Sequence, residues 1–81
     1  MIVTLRFFSV LRESFGSAIA EVELEDGTTG SELIELLAHN NEDVNRLKGV
    51  VRLAVNDDYV ELTEALKEGD EVALLTPVSG G

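Results

Sequence analysis

The apolar side chains of this chain switch between two spacings, alternation in some stretches and helical spacing in others, and that switching constrains the fold more than any other feature. In residues 1–8, Met-Ile-Val-Thr-Leu-Arg-Phe-Phe, β-branched and aromatic types dominate and Thr4 shares a parity with Arg6. This predicts a strand with Val3, Leu5 and Phe7 inward and with Phe8 on the outer side, beside Arg6. Ser9 through Phe15 places Val10 and Leu11 at helical spacing, and Gly16 stops the turn. Residues 18–24 alternate again, Ala20, Val22 and Leu24 against Ile19, Glu21 and Glu23, so a second strand keeps its acids in water.

Glu25-Asp26-Gly27 supplies a turn, and Thr29 stands three residues before Glu32, the capping-box spacing. A helix is predicted from there, with Leu33, Ile34, Leu36, Leu37 and Ala38 as its apolar stripe and His39-Asn40-Asn41 at its end. A further helical turn over 42–47 points Val44 and Leu47 inward. Residues 51–55 read as a strand with Leu53 and Val55 inward and Arg52 and Ala54 outward. Asn56-Asp57-Asp58 then turns the chain into a short hairpin partner at 59–61. Leu62 and Leu66 read as core contacts of an irregular stretch that ends at Gly69-Asp70, where glycines 27, 49 and 69 all mark turns. Residues 71–75 form the last strand, Val72 and Leu74 inward and Ala73 and Leu75 outward, and Pro77 ends it.

Strands interrupted by one substantial helix predict an α+β domain over 1–75, a mixed sheet covered on one face by that principal helix, followed by a tail over 76–81. The other sheet face is then partly bare. If the first and last strands are neighbours, Phe8, Ala73 and Leu75 meet there, with Tyr59 nearby, as an exposed apolar patch of the kind that marks a protein contact. At 81 residues, 44% of them apolar, one modest core is the most the chain can build. It has no cysteine, which removes disulfides and thiolate metal sites and, with no basic-then-apolar leader, predicts a reducing cytoplasm. Sixteen acidic against six basic side chains give a net charge of −10. That balance argues against nucleic acid and anionic membranes and favours protein partners with basic surfaces.

No catalytic constellation stands out. His39 is alone, without a second metal ligand at useful spacing, and reads as a solvated residue at a helix end; the carboxylates fall on turns and polar faces, and no phosphate-binding glycine motif occurs. The tail Thr76-Pro77-Val78-Ser79-Gly80-Gly81 admits two readings. One is a frayed end. The other is a delivery arm, because five residues from Pro77 onward span on the order of 16 Å and two glycines can thread a narrow channel. Such an arm presents a terminal carboxylate, inert until adenylated and then open to attack by a sulfur or amine nucleophile.

Phe7, Phe8, Leu11, Arg12 and Glu13, the capped helix from Thr29, Leu53-Ala54-Val55-Asn56, Gly69-Asp70-Glu71-Val72 and the ending Pro77-Val78-Ser79-Gly80-Gly81 together resemble the small subunit of molybdopterin synthase, the MoaD type. The resemblance covers essentially the whole chain, and the ending is its specific part. It implies a ubiquitin-like β-grasp fold acting as a sulfur carrier. It further implies that Gly81 is acyl-adenylated by an adenylyltransferase related to ubiquitin-activating enzymes, which uses ATP. A sulfur donor then converts the adenylate to a thiocarboxylate, and the sulfur passes to cyclic pyranopterin monophosphate inside the large synthase subunit. Carried onto this sequence, Gly81 carries the acyl-adenylate and thiocarboxylate, Gly80 permits insertion of the tail, and Phe8, Tyr59, Leu75, Pro77, Val78 and Ser79 are the partner-binding residues. No metal and no cofactor would sit on the chain itself. Thr76 departs from the family pattern, which commonly has a second proline there. Two alternatives share the activated tail: a carrier for thiamine or tungsten cofactor synthesis, and a ubiquitin-like modifier joined to lysines. A binding module with uninformative glycines is the fourth reading.

Overall fold

The computed structural model describes residues 1–77. The elements are β1 (Ile2–Phe7), α1 (Ser9–Phe15), β2 (Ile19–Glu23), α2 (Gly30–Asn40), α3 (Glu42–Leu47), β3 (Arg52–Val55), β4 (Asp58–Tyr59) and β5 (Glu71–Leu75). They build a mixed five-stranded sheet in the order β2-β1-β5-β3-β4. The first and last strands are neighbours at its centre and run parallel, while the flanking pairs are antiparallel. The expected α+β architecture is therefore present, and a parallel pair is possible because the chain crosses the sheet through α2 and α3 before returning as β5.

Period-two burial holds on every long strand. Val3, Leu5 and Phe7 of β1, Leu53 of β3, and Val72 and Leu74 of β5 are buried, and they meet Leu11 from α1, Leu33, Ile34 and Ala38 from α2, and Val44 from α3 in one cluster. No polar or charged side chain among the described residues is buried with them. Phe7 stacks on Phe15 with ring centroids 4.1 Å apart and planes 9° from parallel, which ties α1 to the strand that precedes it. Three helices, rather than one, thus supply the covering layer.

The capping box forms as its spacing predicts. Thr29 Oγ1 accepts from the Glu32 backbone N–H at 3.2 Å, and the Thr29 N–H donates to Glu32 Oε1 at 2.9 Å. Leu36, expected in the apolar stripe, is instead 46% exposed. At about 100° per residue, Leu33, Ile34, Leu37 and Ala38 share one face, and Leu36 falls well outside it. The expected strand over 1–8 stops at Phe7, because Phe8 serves as the N-cap of α1 in extended backbone. The hairpin partner expected over 59–61 is shorter, Asp58–Tyr59, joined to β3 by Asn56 and Asp57 at φ of 51° and 74°. Left-handed backbone at both central positions suits a hairpin turn, and Asn and Asp tolerate it.

Gly30 carries a constraint that its place in the sequence does not advertise. A Cβ there would lie 2.7 Å from Leu53 Cδ1 and 3.4 Å from the Leu62 carbonyl oxygen. The missing side chain lets the first turn of α2 approach β3 and the 60–66 segment. That segment is held by the Ser31 N–H donating to the Leu62 carbonyl at 2.8 Å and the Leu66 N–H donating to the Thr28 carbonyl at 2.8 Å.

Candidate functional site on the outer sheet face

With the helices on one face, the opposite face of the sheet takes every residue of the other parity. The registers join Ile19, Arg6, Ala73, Ala54 and Tyr59 into one row crossing all five strands. One step toward the C-terminal end of β5, Leu75 lies opposite Arg52. Phe7 pairs with Leu74, and the extended backbone of Phe8 carries the alternation one residue further, so Phe8 stands level with Leu75 on the outer side. One step the other way, Thr4 lies between Glu21 and Glu71.

The face is therefore graded. Carboxylates gather at the end where β5 begins, and apolar side chains gather at the end where β5 releases Thr76 and Pro77. Arg6 bridges the two zones, with Nη1 2.7 Å from Glu71 Oε1. Large apolar side chains at the tail end stay in water: Phe8 is 44% exposed and Tyr59 73%. Leu75 is half-buried, and Val50, which precedes β3, is also exposed. A shallow depression lined by Val50, Arg52, Tyr59, Leu75 and Pro77 marks where the chain leaves the sheet.

Phe8, Tyr59, Leu75 and Pro77 are thus brought together at one end of one face. Val78, Ser79, Gly80 and Gly81 lie outside the described residues. Ile19 and Val50 belong to the apolar surface although the sequence reading did not assign them to it. Ile19 could have been found, since it is the apolar member of a parity otherwise held by Glu21 and Glu23. Immediately after Phe8 the backbone of Ser9 takes φ of 51°, a left-handed value that costs a residue with a Cβ about 1–2 kcal/mol. This bend starts α1 and separates exposed Phe8 from buried Leu11.

Elsewhere the described residues offer little chemistry. They contain no grouping of three His, Cys, Asp or Glu side chains placed to hold a metal ion. None of their helices is long and apolar enough to cross a membrane.

Fold and face together define a ubiquitin-like β-grasp domain with an apolar patch at the root of its C-terminal segment. The chain belongs to the ThiS family, whose model matches residues 5–81, and the curated relatives it resembles include molybdopterin synthase sulfur carrier subunits, the MoaD type. One from Drosophila yakuba is 35% identical over 98% of this chain and 90% of its own length. Among solved structures, a protein described as a putative molybdopterin converting factor subunit 1 from Pyrococcus furiosus matches with a TM-score of 0.84 and 30% identity. That match covers 96% of this chain and 99% of the other. A chain from the complex of subunits 1 and 2 of the Helicobacter pylori molybdopterin-converting factor matches over the full length of both, with a TM-score of 0.69 and 30% identity. SAMP1 from Haloferax volcanii matches equally completely, with a TM-score of 0.82 and 27% identity.

Proposed function

We propose that this chain is the sulfur carrier subunit of molybdopterin synthase, docking through its outer sheet face onto a large subunit and delivering Gly81 into that subunit's active site. The observation that carries the reading is the register that sets Phe8, Tyr59 and Leu75 around the point where the chain leaves β5. A patch in that position anchors the domain while leaving the last residues to reach beyond it.

The chemistry belongs to the main-chain end. The Gly81 carboxylate attacks the α-phosphorus of ATP on an adenylyltransferase, forming an acyl-adenylate and releasing pyrophosphate. A sulfide-level donor then attacks the acyl carbon, a C–S bond forming as the C–O bond to AMP breaks, and a thiocarboxylate remains. Its sulfur attacks a side-chain carbon of cyclic pyranopterin monophosphate in the large subunit, a C–S bond forming as a C–O bond of the substrate breaks. Water then cleaves the acyl C–S bond, leaving the sulfur on the substrate and returning the Gly81 carboxylate. The chain needs no cofactor of its own in this scheme, since ATP is consumed on the activating partner. The absence of cysteine from the sequence is consistent with a sulfur carried on the terminal carbonyl.

The test is direct. Phe8→Asp and Leu75→Asp each place a carboxylate in the docked patch and should weaken binding to the large synthase subunit at least tenfold, about 1.4 kcal/mol or more. Their circular dichroism should stay that of the wild type, because both side chains face away from the core. Unchanged affinity in both variants contradicts docking through this face.

The likeness to SAMP1 supports a second reading, a modifier joined through Gly81 to lysine side chains. Activation of the tail is shared, so the two separate downstream. Lysine-linked conjugates in cell extract, without a complex with a large synthase subunit, would favour the modifier.

A further inference from the structure

The cationic side chains of this chain are few, and their pairing is uneven. Of the six Lys and Arg residues, Arg6, Arg46 and Lys48 form ion pairs with Glu71, Asp43 and Glu35. Arg12, Arg52 and Lys67 pair with no carboxylate among the described residues, and of these three only Arg52 stands on a strand, exposed, in a chain carrying sixteen acids. Its place on the sheet explains why. Arg52 lies opposite Leu75 at the apolar end of the graded face, whereas Glu71 stands four residues back along β5, roughly 13 Å away at the rise of a strand. Glu61 and Glu64 border a neighbouring groove that Arg52 also lines, but neither comes within 4 Å as an ion-pair partner.

A docking event that buries Phe8, Leu75 and Tyr59 draws Arg52 out of water with them, because it stands beside Leu75 and shares a depression with Tyr59. A guanidinium cannot shed its charge, and removing it from water without a counter-charge is strongly unfavourable. The partner surface must therefore answer it. We propose that Arg52 is a specificity residue of the docking face, pairing with a carboxylate side chain of the large synthase subunit that is buried with it beside the socket that receives Phe8 and Leu75. A carboxylate matches the planar fork of arginine through two parallel hydrogen bonds. The long-range field of a chain with net charge −10 still favours a basic partner, so the partner surface is a mixed one. It is basic around the contact and acidic at one point beside the socket. A socket rimmed by lysine or arginine at that point would be rejected.

This proposal rests on the carrier reading, and one experiment separates the two. The affinity of the large synthase subunit from the same organism is measured by calorimetry for wild type, Arg52→Leu, Arg52→Lys and Arg52→Glu, at low and high salt, with a thermal melt of each variant. Arg52→Leu should weaken binding at least tenfold, because the partner carboxylate is left buried and unpaired, and the loss should persist at high salt. Arg52→Glu should cost at least a hundredfold, and Arg52→Lys, which keeps the charge but loses the fork, should fall between wild type and Arg52→Leu. The melts should coincide, since Arg52 is exposed; if Arg52→Leu melts low, Arg52→Gln replaces it in the same comparison. Wild-type binding with Arg52→Leu equally tight or tighter overturns this proposal and leaves the carrier reading standing. A wild-type chain that does not bind the large subunit overturns both.

Discussion

Removing Gly81 alone should lower sulfur transfer by at least about a hundredfold while leaving the fold and the docking affinity intact. The basis is geometric. Deletion leaves a carboxylate on Gly80, chemically the same group, but one residue short, about 3.5 Å in an extended chain. A misplacement of about 1 Å at a reacting centre can already cost some hundredfold. The apolar patch of Phe8, Tyr59 and Leu75, through which docking is proposed, is held by strands β1, β3, β4 and β5 among the described residues. The check is a reconstituted synthase assay beside a binding titration. Lost transfer with retained binding is the expected pair. Full transfer by the shortened chain would remove Gly81 from the reaction.

The second large effect falls on stability and separates two adjacent phenylalanines. Phe7 is buried and stacked on Phe15, whereas Phe8 is on the opposite side of the same strand end and exposed. Phe7→Ala should cost about 3–5 kcal/mol, from lost transfer energy and the cavity left under α1. Against a stability of roughly 0.05–0.15 kcal/mol per residue, this removes much or all of the margin of so small a domain. The melting temperature should fall by more than about 12 °C. Phe8→Ala should cost under about 1 kcal/mol and show its effect in partner binding instead. Thermal melts of the two variants decide it, and similar losses would mean that the alternation through β1 is misread.

That alternation is the part of the molecule most legible in the sequence. A strand with one buried face has to place every second residue inward, so Val3, Leu5, Phe7, Val72 and Leu74 could be assigned without knowing which strands pair. The capping box at Thr29 and Glu32 is equally local. What the sequence left conditional was the pairing of β1 with β5, which joins residues some 67 positions apart in chain order, Thr4 with Glu71 among them. No local signal encodes such a contact, and the apolar patch depends on it. Leu36 was misassigned because five apolar residues in six positions overfill one helical face, and only the angular arithmetic shows which one is turned to water. The closeness of Gly30 to Leu53 was invisible for the same reason as the strand pairing, since it reports the approach of two distant segments.

The candidate site divides along the same line. Phe8 and Leu75 could be placed outward by parity, Tyr59 only as a neighbour of the patch, and the registers then gathered all three. The significance of Arg52 needed the structure, because the sequence shows an arginine among sixteen acids and cannot show that none of them reaches it. The charge of −10 takes on a finer grain in consequence. It is unevenly spread, with carboxylates at one end of the outer face and an apolar, cationic end where the C-terminal segment departs.

The central claim, that Gly81 is the carrying residue, is tested most directly by intact mass. The full chain is incubated with the adenylyltransferase of its own organism, ATP and a sulfur donor, and its mass is recorded before and after. The account predicts an increase equal to the replacement of one oxygen by sulfur, localised by fragmentation to Gly81 and dependent on ATP. An unchanged mass, with the activating enzyme shown to be competent on another substrate, would contradict it.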